Sequence, residues 1–251
     1  MVKEEMRVIL YQYPGGEGLC SISPPCVKVE LALNLLKLEH QVVNCKSASA
    51  VRRVSTTGRL PVLEVDGTRI PDSCAILDEL ERRFPDGGLS PAEPEVRVRD
   101  RLWEHFATDT MYWVGFWFRW VGPDSSRRFF QAYFGRLPWL PRTMVKKIFL
   151  PIQRKRIRIV GHGGKTAERI GIEFRRAVRM IEKGLEGGPF LQGRPTPARG
   201  DLACAAIVAQ CGFRGTMPDE VAYLREHDAV LRHVAAVYEA CSTNLPRWMQ
   251  S

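Results

Sequence analysis

Leu60-Pro61-Val62-Leu63-Glu64-Val65-Asp66-Gly67-Thr68-Arg69-Ile70-Pro71-Asp72-Ser73 holds most of the fold's logic in fourteen residues. Two short runs rich in β-formers flank Asp66-Gly67. A two-residue hairpin needs positive φ at its centre, which Asp tolerates and Gly adopts freely. Asp72-Ser73 then opens an amphipathic helix to Phe84, with Ile76, Leu77 and Leu80 on its apolar face. Upstream, Arg7 to Tyr11 reads as a strand, and Tyr13-Pro14-Gly15-Gly16-Glu17-Gly18 as a loop. Ser23-Pro24-Pro25-Cys26 starts a helix: Ser23 is an N-cap type and Pro24 suits the first helical position. Val27, Leu31, Leu35 and Leu38 give that helix one apolar face. Gln41 to Asn44 is a short strand and Ala48 to Ser55 a short helix. The order is βαβ-α-ββα.

Strand signals almost cease after the linker-like Pro85-Asp86-Gly87-Gly88-Leu89-Ser90-Pro91. Glu95 to Trp120 reads as one long aromatic-rich helix. Residues 124–160 look helical but broken at Pro138, Pro141 and Pro151. Thr166 to Leu185 is amphipathic, with Ile170, Phe174, Val178 and Ile181 at helical spacing. Asp201 to Gln210 is small and apolar, hence a buried helix, and Val230 to Cys241 is the last one. The expected class is α+β in two domains. A thioredoxin-like domain over 1–85 and a linker over 86–94 precede an all-helical domain over 95–251.

The 251 residues are 45% apolar and 26% charged, which is ordinary globular composition. No apolar run reaches the roughly 18 residues of a spanning helix. The opening Met1-Val2-Lys3-Glu4-Glu5 lacks a signal peptide's apolar core. The seven cysteines are scattered without a paired CxxC, and read as reduced thiols of a cytoplasmic protein with no metal cluster. Within a net charge of +9, Lys146, Lys147, Arg154, Lys155, Arg156 and Arg158 fall close together. That cluster is either an anionic contact or a solvated helix face.

Taken together, the chain resembles the glutathione S-transferase superfamily, and within it the branch of the failed-axon-connections and metaxin-like proteins. The narrower resemblance rests on Leu10-Tyr11-Gln12-Tyr13-Pro14 and on Ser23-Pro24-Pro25-Cys26-Val27-Lys28-Val29-Glu30. It rests also on Tyr112-Trp113 with Arg119-Trp120, on Gly161-His162-Gly163-Gly164, and on Pro189-Phe190-Leu191-Gln192-Gly193. The superfamily usually begins a buried late helix with Ser or Thr and an Asp three residues on. Here Thr196 precedes Asp201 by five, so Asp201 itself is a candidate cap.

The resemblance implies a thiol chemistry with glutathione as co-substrate, in the service of detoxification, and a homodimer. The glutathione thiolate would attack an apolar electrophile or a peroxide. A thiol of pKa near 8.5 is only about 3% ionised at neutral pH. A helix N-terminus favours an anion through its free amides and dipole. Ser23 stands where serine- and cysteine-type transferases place the residue that stabilises the thiolate; its other role would be to cap its helix. Cys26, in the first turn, is the alternative catalytic residue, with a lowered pKa expected from its position, or else a buried structural thiol. Tyr11 and Tyr13 close the first strand and suit packing or substrate contact. The resemblance makes Leu60-Pro61 a cis peptide whose backbone pairs with the glutathione cysteine, and sets Asp72 and Ser73 at the γ-glutamyl end. The plain alternatives are a strand-initiating proline and an N-cap.

Tyr13, Tyr112, Trp113, Phe116 and Trp117 are the candidate walls of a second-substrate pocket, unless the aromatic stripe is core. A rival from another class is a non-catalytic adaptor of the same fold. It would touch a membrane surface or protein partner through residues 133–158, where Tyr133, Phe134, Trp139, Leu140, Ile148, Phe149 and Leu150 alternate with Arg136, Arg142, Lys146 and Lys147. Gly164-Lys165-Thr166 ends like a phosphate loop, but Ile159 stands where the leading Gly belongs. No nucleic-acid module accompanies Arg154 to Arg158, so none is expected as partner.

Overall fold

The computed structural model describes residues 6–250. The charged opening of the chain, read above for a leader, lies outside them. Four strands, β1 (Val8–Gln12), β2 (Gln41–Asn44), β3 (Val62–Val65) and β4 (Thr68–Pro71), lie in the order β2-β1-β3-β4. β1 runs parallel to β2 and antiparallel to β3, and β3 and β4 form the hairpin. Asp66 and Gly67 both have positive φ, 50° and 83°, as a primed turn requires. Helices α1 (Pro24–Leu35), α2 (Ala48–Val54) and α3 (Ser73–Arg83) complete a thioredoxin-like unit.

The rest is helical: α4 (Pro94–His105), α5 (Tyr112–Trp120), α6 (Pro123–Phe134), α7 (Trp139–Met144), α8 (Leu150–Ile159), α9 (Ala167–Gly184), α10 (Arg199–Ala209), α11 (Pro218–Arg225) and α12 (Asp228–Ala240). Three expectations need correcting. The long aromatic helix is α4 and α5 joined by a π-turn over Phe106–Met111. The breaks expected at Pro141 and Pro151 do not occur. Pro141 lies in the first turn of α7, where no amide donor is needed, and the backbone ahead of Pro151 widens into a π-turn over Val145–Phe149 that accommodates its ring. Asp201 is not the cap of α10. Ala198 occupies the N-cap, and Asp201, three residues on, accepts its amide at 2.8 Å. Half of the usual reciprocal capping box therefore survives. Asp201 also takes the Leu191 amide at 2.7 Å and Arg194 at 2.6 Å. Beside it, burial and then the Asp201 charge push the Asp100 carboxyl up to about 7.

Every residue of α10 is buried, as its small apolar sequence demands. It packs chiefly on α4 and α1. At that junction sits a buried ion cluster. Glu104 of α4 accepts Lys28 of α1 at 2.8 Å and Arg199 of α10 at 2.8 Å. Arg199 reaches on to Asp78 at 2.7 Å and Glu81 at 3.1 Å, both on α3. Lys28, Glu104 and Arg199 are each about 1% exposed. The linker joins in: the Leu89 carbonyl accepts the Arg199 amide at 3.1 Å.

Removing one member of a buried cluster strands the others, typically at about 3–5 kcal/mol. Glu104→Gln should lower the unfolding free energy by about 3 kcal/mol, read from the urea midpoint. A loss under about 1 kcal/mol would show that Lys28 and Arg199 are compensated without it.

Candidate functional site

The hairpin register places Val62 opposite Pro71, so Leu60-Pro61 lies alongside Asp72-Ser73. The Leu60–Pro61 peptide is cis. Cys26 of α1 packs with Leu60 and Val62 in one apolar cluster that Tyr11 and Tyr13 flank. The Cys74 thiol, next to Ser73, lies 3.3 Å from the Lys28 ammonium. Three segments far apart in sequence thus meet at one rim: the start of α1, the turn before β3, and the start of α3.

At the start of α3, Asp72 has φ 76°, a conformation few non-glycine residues hold. Its Oδ1 accepts the amides of Cys74 at 2.8 Å and Ala75 at 3.2 Å. Asp72, not Ser73, is therefore the cap. The amide of Ser73, first in the helix, lies outside the helical ladder, and Ser73 itself is buried.

The start of α1 differs from expectation. Ser23 occupies the N-cap, but its hydroxyl makes no capping bond. Pro24 and Pro25 have no N–H, and the next two amides, Cys26 and Val27, both donate to the Ser23 carbonyl at 2.9 and 3.0 Å. No backbone donor is left for an anion here. What remains is the dipole and the Ser23 hydroxyl, and that hydroxyl acts on the Cys26 sulfur. Nor does Cys26 carry the low pKa expected of a first-turn thiol: it is fully buried, and burial pushes it up to about 11 against hydrogen bonding from the Ser23 hydroxyl, the Tyr13 backbone and the Ser21 hydroxyl. Position in the first turn is outweighed by desolvation.

Tyr13 stands between Cys26, Tyr112 and the Leu60 backbone, and burial raises its phenol to about 12. It is neutral at pH 7 and can donate. Tyr11 instead donates to Glu64 at 3.3 Å. Tyr112 and Phe116 line a cavity beneath the start of α1 that also includes Pro24, Arg119 and Gln210. Trp113 packs edge-on against both rings. Trp117 does not line the cavity; it is buried against Phe118 and Gly122. The sequence reading missed Arg119 and Arg156 as parts of this region. Arg156 lies over the Phe116 ring at 5.3 Å. For Arg119 the available signal was its place two turns after Tyr112 on α5; for Arg156 the sequence offered none.

Lys165 of the phosphate-loop-like triplet is bonded to Glu173 at 2.8 Å, and Thr166 caps α9. All seven cysteines are free. Among the described residues no group of three His, Cys, Asp or Glu could hold a metal ion, and no helix is long and apolar enough to cross a membrane.

A family model described as the glutathione S-transferase N-terminal domain matches residues 24–125. Failed axon connections of Drosophila melanogaster is 26% identical over an alignment covering 98% of this chain and 60% of that protein. Glutathione transferase GST 23 of Zea mays is 33% identical over 35% of this chain and 41% of its own length. This chain thus spans less than two thirds of either relative. A crystal structure of a glutathione S-transferase from Methylobacterium radiotolerans, in complex with glutathione sulfonate, superposes with a TM-score of 0.60 at 18% identity, covering 96% of this chain and 95% of that one.

With no amide donor at the start of α1, Ser23→Ala should remove most of the stabilisation of a bound thiolate. Ultraviolet titration of thiolate absorbance in the glutathione complex should show the apparent pKa rising by about one to two units, worth roughly 1.4–2.7 kcal/mol. An unchanged titration curve would assign the hydroxyl to Cys26 alone.

Proposed function

We propose, from the glutathione S-transferase N-terminal family match over residues 24–125 and the likeness to Failed axon connections and to a solved glutathione S-transferase, that the chain binds reduced glutathione and directs its thiolate at an apolar electrophile. The observation that carries the proposal is the single rim formed by Ser23, Leu60-Pro61 and Asp72-Ser73. The Leu60 backbone would pair with the glutathione cysteine like an added strand. The Ser73 amide would take the γ-glutamyl carboxylate. Asp72, whose Oδ1 is committed to capping, has Oδ2 to accept the ammonium. Ser23 would donate to the sulfur. The protein's contribution is positioning and stabilisation of the nucleophile.

Calorimetric titration of glutathione tests this. The wild type should bind, and Asp72→Ala should weaken binding at least tenfold, about 1.4 kcal/mol. Negligible heat from both proteins would end the transferase reading.

A second reading, as a membrane-seated adaptor, is favoured by one observation. Residues 125–167 contain eleven Lys and Arg and no Asp or Glu; the rest of the chain has the remaining 26 of 37 basic residues against 28 acidic ones. The whole positive charge of the protein is therefore local. In the same segment Leu140, Met144, Ile148 and Ile152 form an exposed line, and Trp139 is 77% exposed. The π-turn widens the helical repeat so that residues four apart stay in register along α7 and α8. An apolar stripe amid cations suits an anionic bilayer surface, at about 1 kcal/mol per basic residue.

Sedimentation with phosphatidylserine-containing vesicles should carry the protein down, and neutral vesicles should not. Replacing Lys146, Lys147, Arg154 and Lys155 with Ala should weaken the binding more than tenfold. Equal binding to both vesicle types would remove this reading.

A further inference from the structure

Resting on the transferase reading above, we infer that the cleft between the sheet domain and the helices selects electrophiles that carry a carboxylate, with Arg156 as its principal partner and Arg119 and Arg59 as supporting cations. Arg119 lines the cavity beneath the start of α1, and Arg156 lies over the ring of Phe116, which lines it too, at 5.3 Å; neither has an acid beside it. Arg119 donates to the Ile22 carbonyl at 2.9 Å and to Gln210 Oε1 at 3.0 Å, both neutral acceptors. The titratable groups acting on it are Tyr112, Cys211 and Tyr133, all uncharged at pH 7. Arg156 donates through Nη1 to Gln153 at 3.0 Å, while its Nε is buried with no partner. Arg59, exposed, precedes Leu60 at the rim.

Among the described residues none of these three arginines is within ion-pair distance of a carboxylate, in a protein whose Arg101, Arg199 and Arg69 all are. Holding the Arg119 guanidinium and the Arg156 Nε out of water without a counter-charge is unfavourable, whereas Arg59, exposed, only adds positive charge at the rim. A ligand carboxylate would supply the missing charge, and the planar guanidinium fork suits it. The cavity that Arg119 and Gln210 line is otherwise mostly apolar, with Met111, Val114, Phe116 and Phe174 among its walls, so the body of the ligand is apolar or aromatic. Charge and shape together describe an amphiphilic acid. In an aromatic substitution the sulfur–carbon bond forms, the carbon–chlorine bond breaks, chloride leaves with the electron pair, and the thiol proton passes to solvent.

The test compares a chlorodinitrobenzoate with the matching neutral chlorodinitrobenzamide, using the full chain and glutathione. The wild type should favour the acid at least tenfold in kcat/KM. Arg156→Gln should bring the ratio close to one, and Arg59→Gln should lower it two- to threefold. A wild-type ratio near one, or a ratio unmoved by Arg156→Gln, overturns the inference. If glutathione binds but neither compound is consumed, the transferase reading fails and the cleft is judged by binding alone. Quenching of tryptophan fluorescence should then report dinitrobenzoate held tenfold more tightly than dinitrobenzamide, with the difference lost in Arg156→Gln. Equal affinities overturn the inference on that route too.

Discussion

Glu104 is the buried anion on which the geometry of the site depends. It lies between Lys28 and Arg199, and those two residues stand on the helices that must stay in fixed relation. Lys28 is five residues beyond Ser23 on α1. Arg199 ties α10 to α3 through Asp78 and Glu81, and its guanidinium also donates to the Cys74 carbonyl at 3.3 Å, one residue after Ser73. A shift of α1 against α3 would separate Lys28 from Glu104 or Arg199 from Asp78, and leave a charge in a site closed to water. The cluster thus resists the one motion that would pull the proposed sulfur and γ-glutamyl ends apart. An apolar core of equal volume could pack as stably, but would slide more readily than a cluster with directional partners.

The two helix starts at the rim divide the labour unequally. At α3, Asp72 takes two amides and the first amide is left over, so the backbone itself is available to an anion. At α1, two prolines and two inward-turned amides leave none. Whatever stabilises negative charge near Ser23 must come from side chains. The Ser23 hydroxyl is one; the neutral phenols of Tyr13 and Tyr112 are others, since burial keeps both protonated and able to donate. The same low-polarity surroundings that raise Cys26 out of the reactive range strengthen any hydrogen bond made there.

Local features were legible in the sequence because their causes are local. Asp66-Gly67 requires its turn wherever it is placed, and Pro24 after Ser23 starts a helix by its fixed φ. The small residues after Asp201 could only be a buried helix. What could not be read arises at a distance. Lys28 and Glu104 are 76 residues apart, and Glu104 and Arg199 are 95 apart; each alone looks like an ordinary surface charge. The cap of α10 was misplaced because Ala198 has no side chain to announce it, while its acidic partner was visible. Helix α11 carries a weak apolar pattern and gave no periodic signal. Of the aromatic stripe on α5, periodicity could select the face but not say which rings meet the cavity, so Trp117 read the same as Phe116.

Arg156 links the two halves of the functional argument. It sits on α8, whose outward side shows Ile152 and Ile159 to solvent and whose inward side buries Gln153 and Ile157. Arg156, four residues after Ile152 and three before Ile159, stands at the edge of the exposed stripe, where its guanidinium folds inward over Phe116 and onto Gln153. The segregation of charge explains why both readings draw on the same segment: no carboxylate lies between residues 125 and 167, and although Arg127 pairs with Asp124 and Lys165 with Glu173 just outside it, Arg142, Lys146 and Arg156 have neutral acceptors or aromatic faces instead. Arg142 and Lys146 lie over Phe130, and Arg156 over Phe116. Aromatic faces satisfy a cation only in part. The remaining demand for an anion belongs to the segment as a whole, and the two proposals differ in whether it is met outside, by a charged surface, or inside, by the acid group of a substrate.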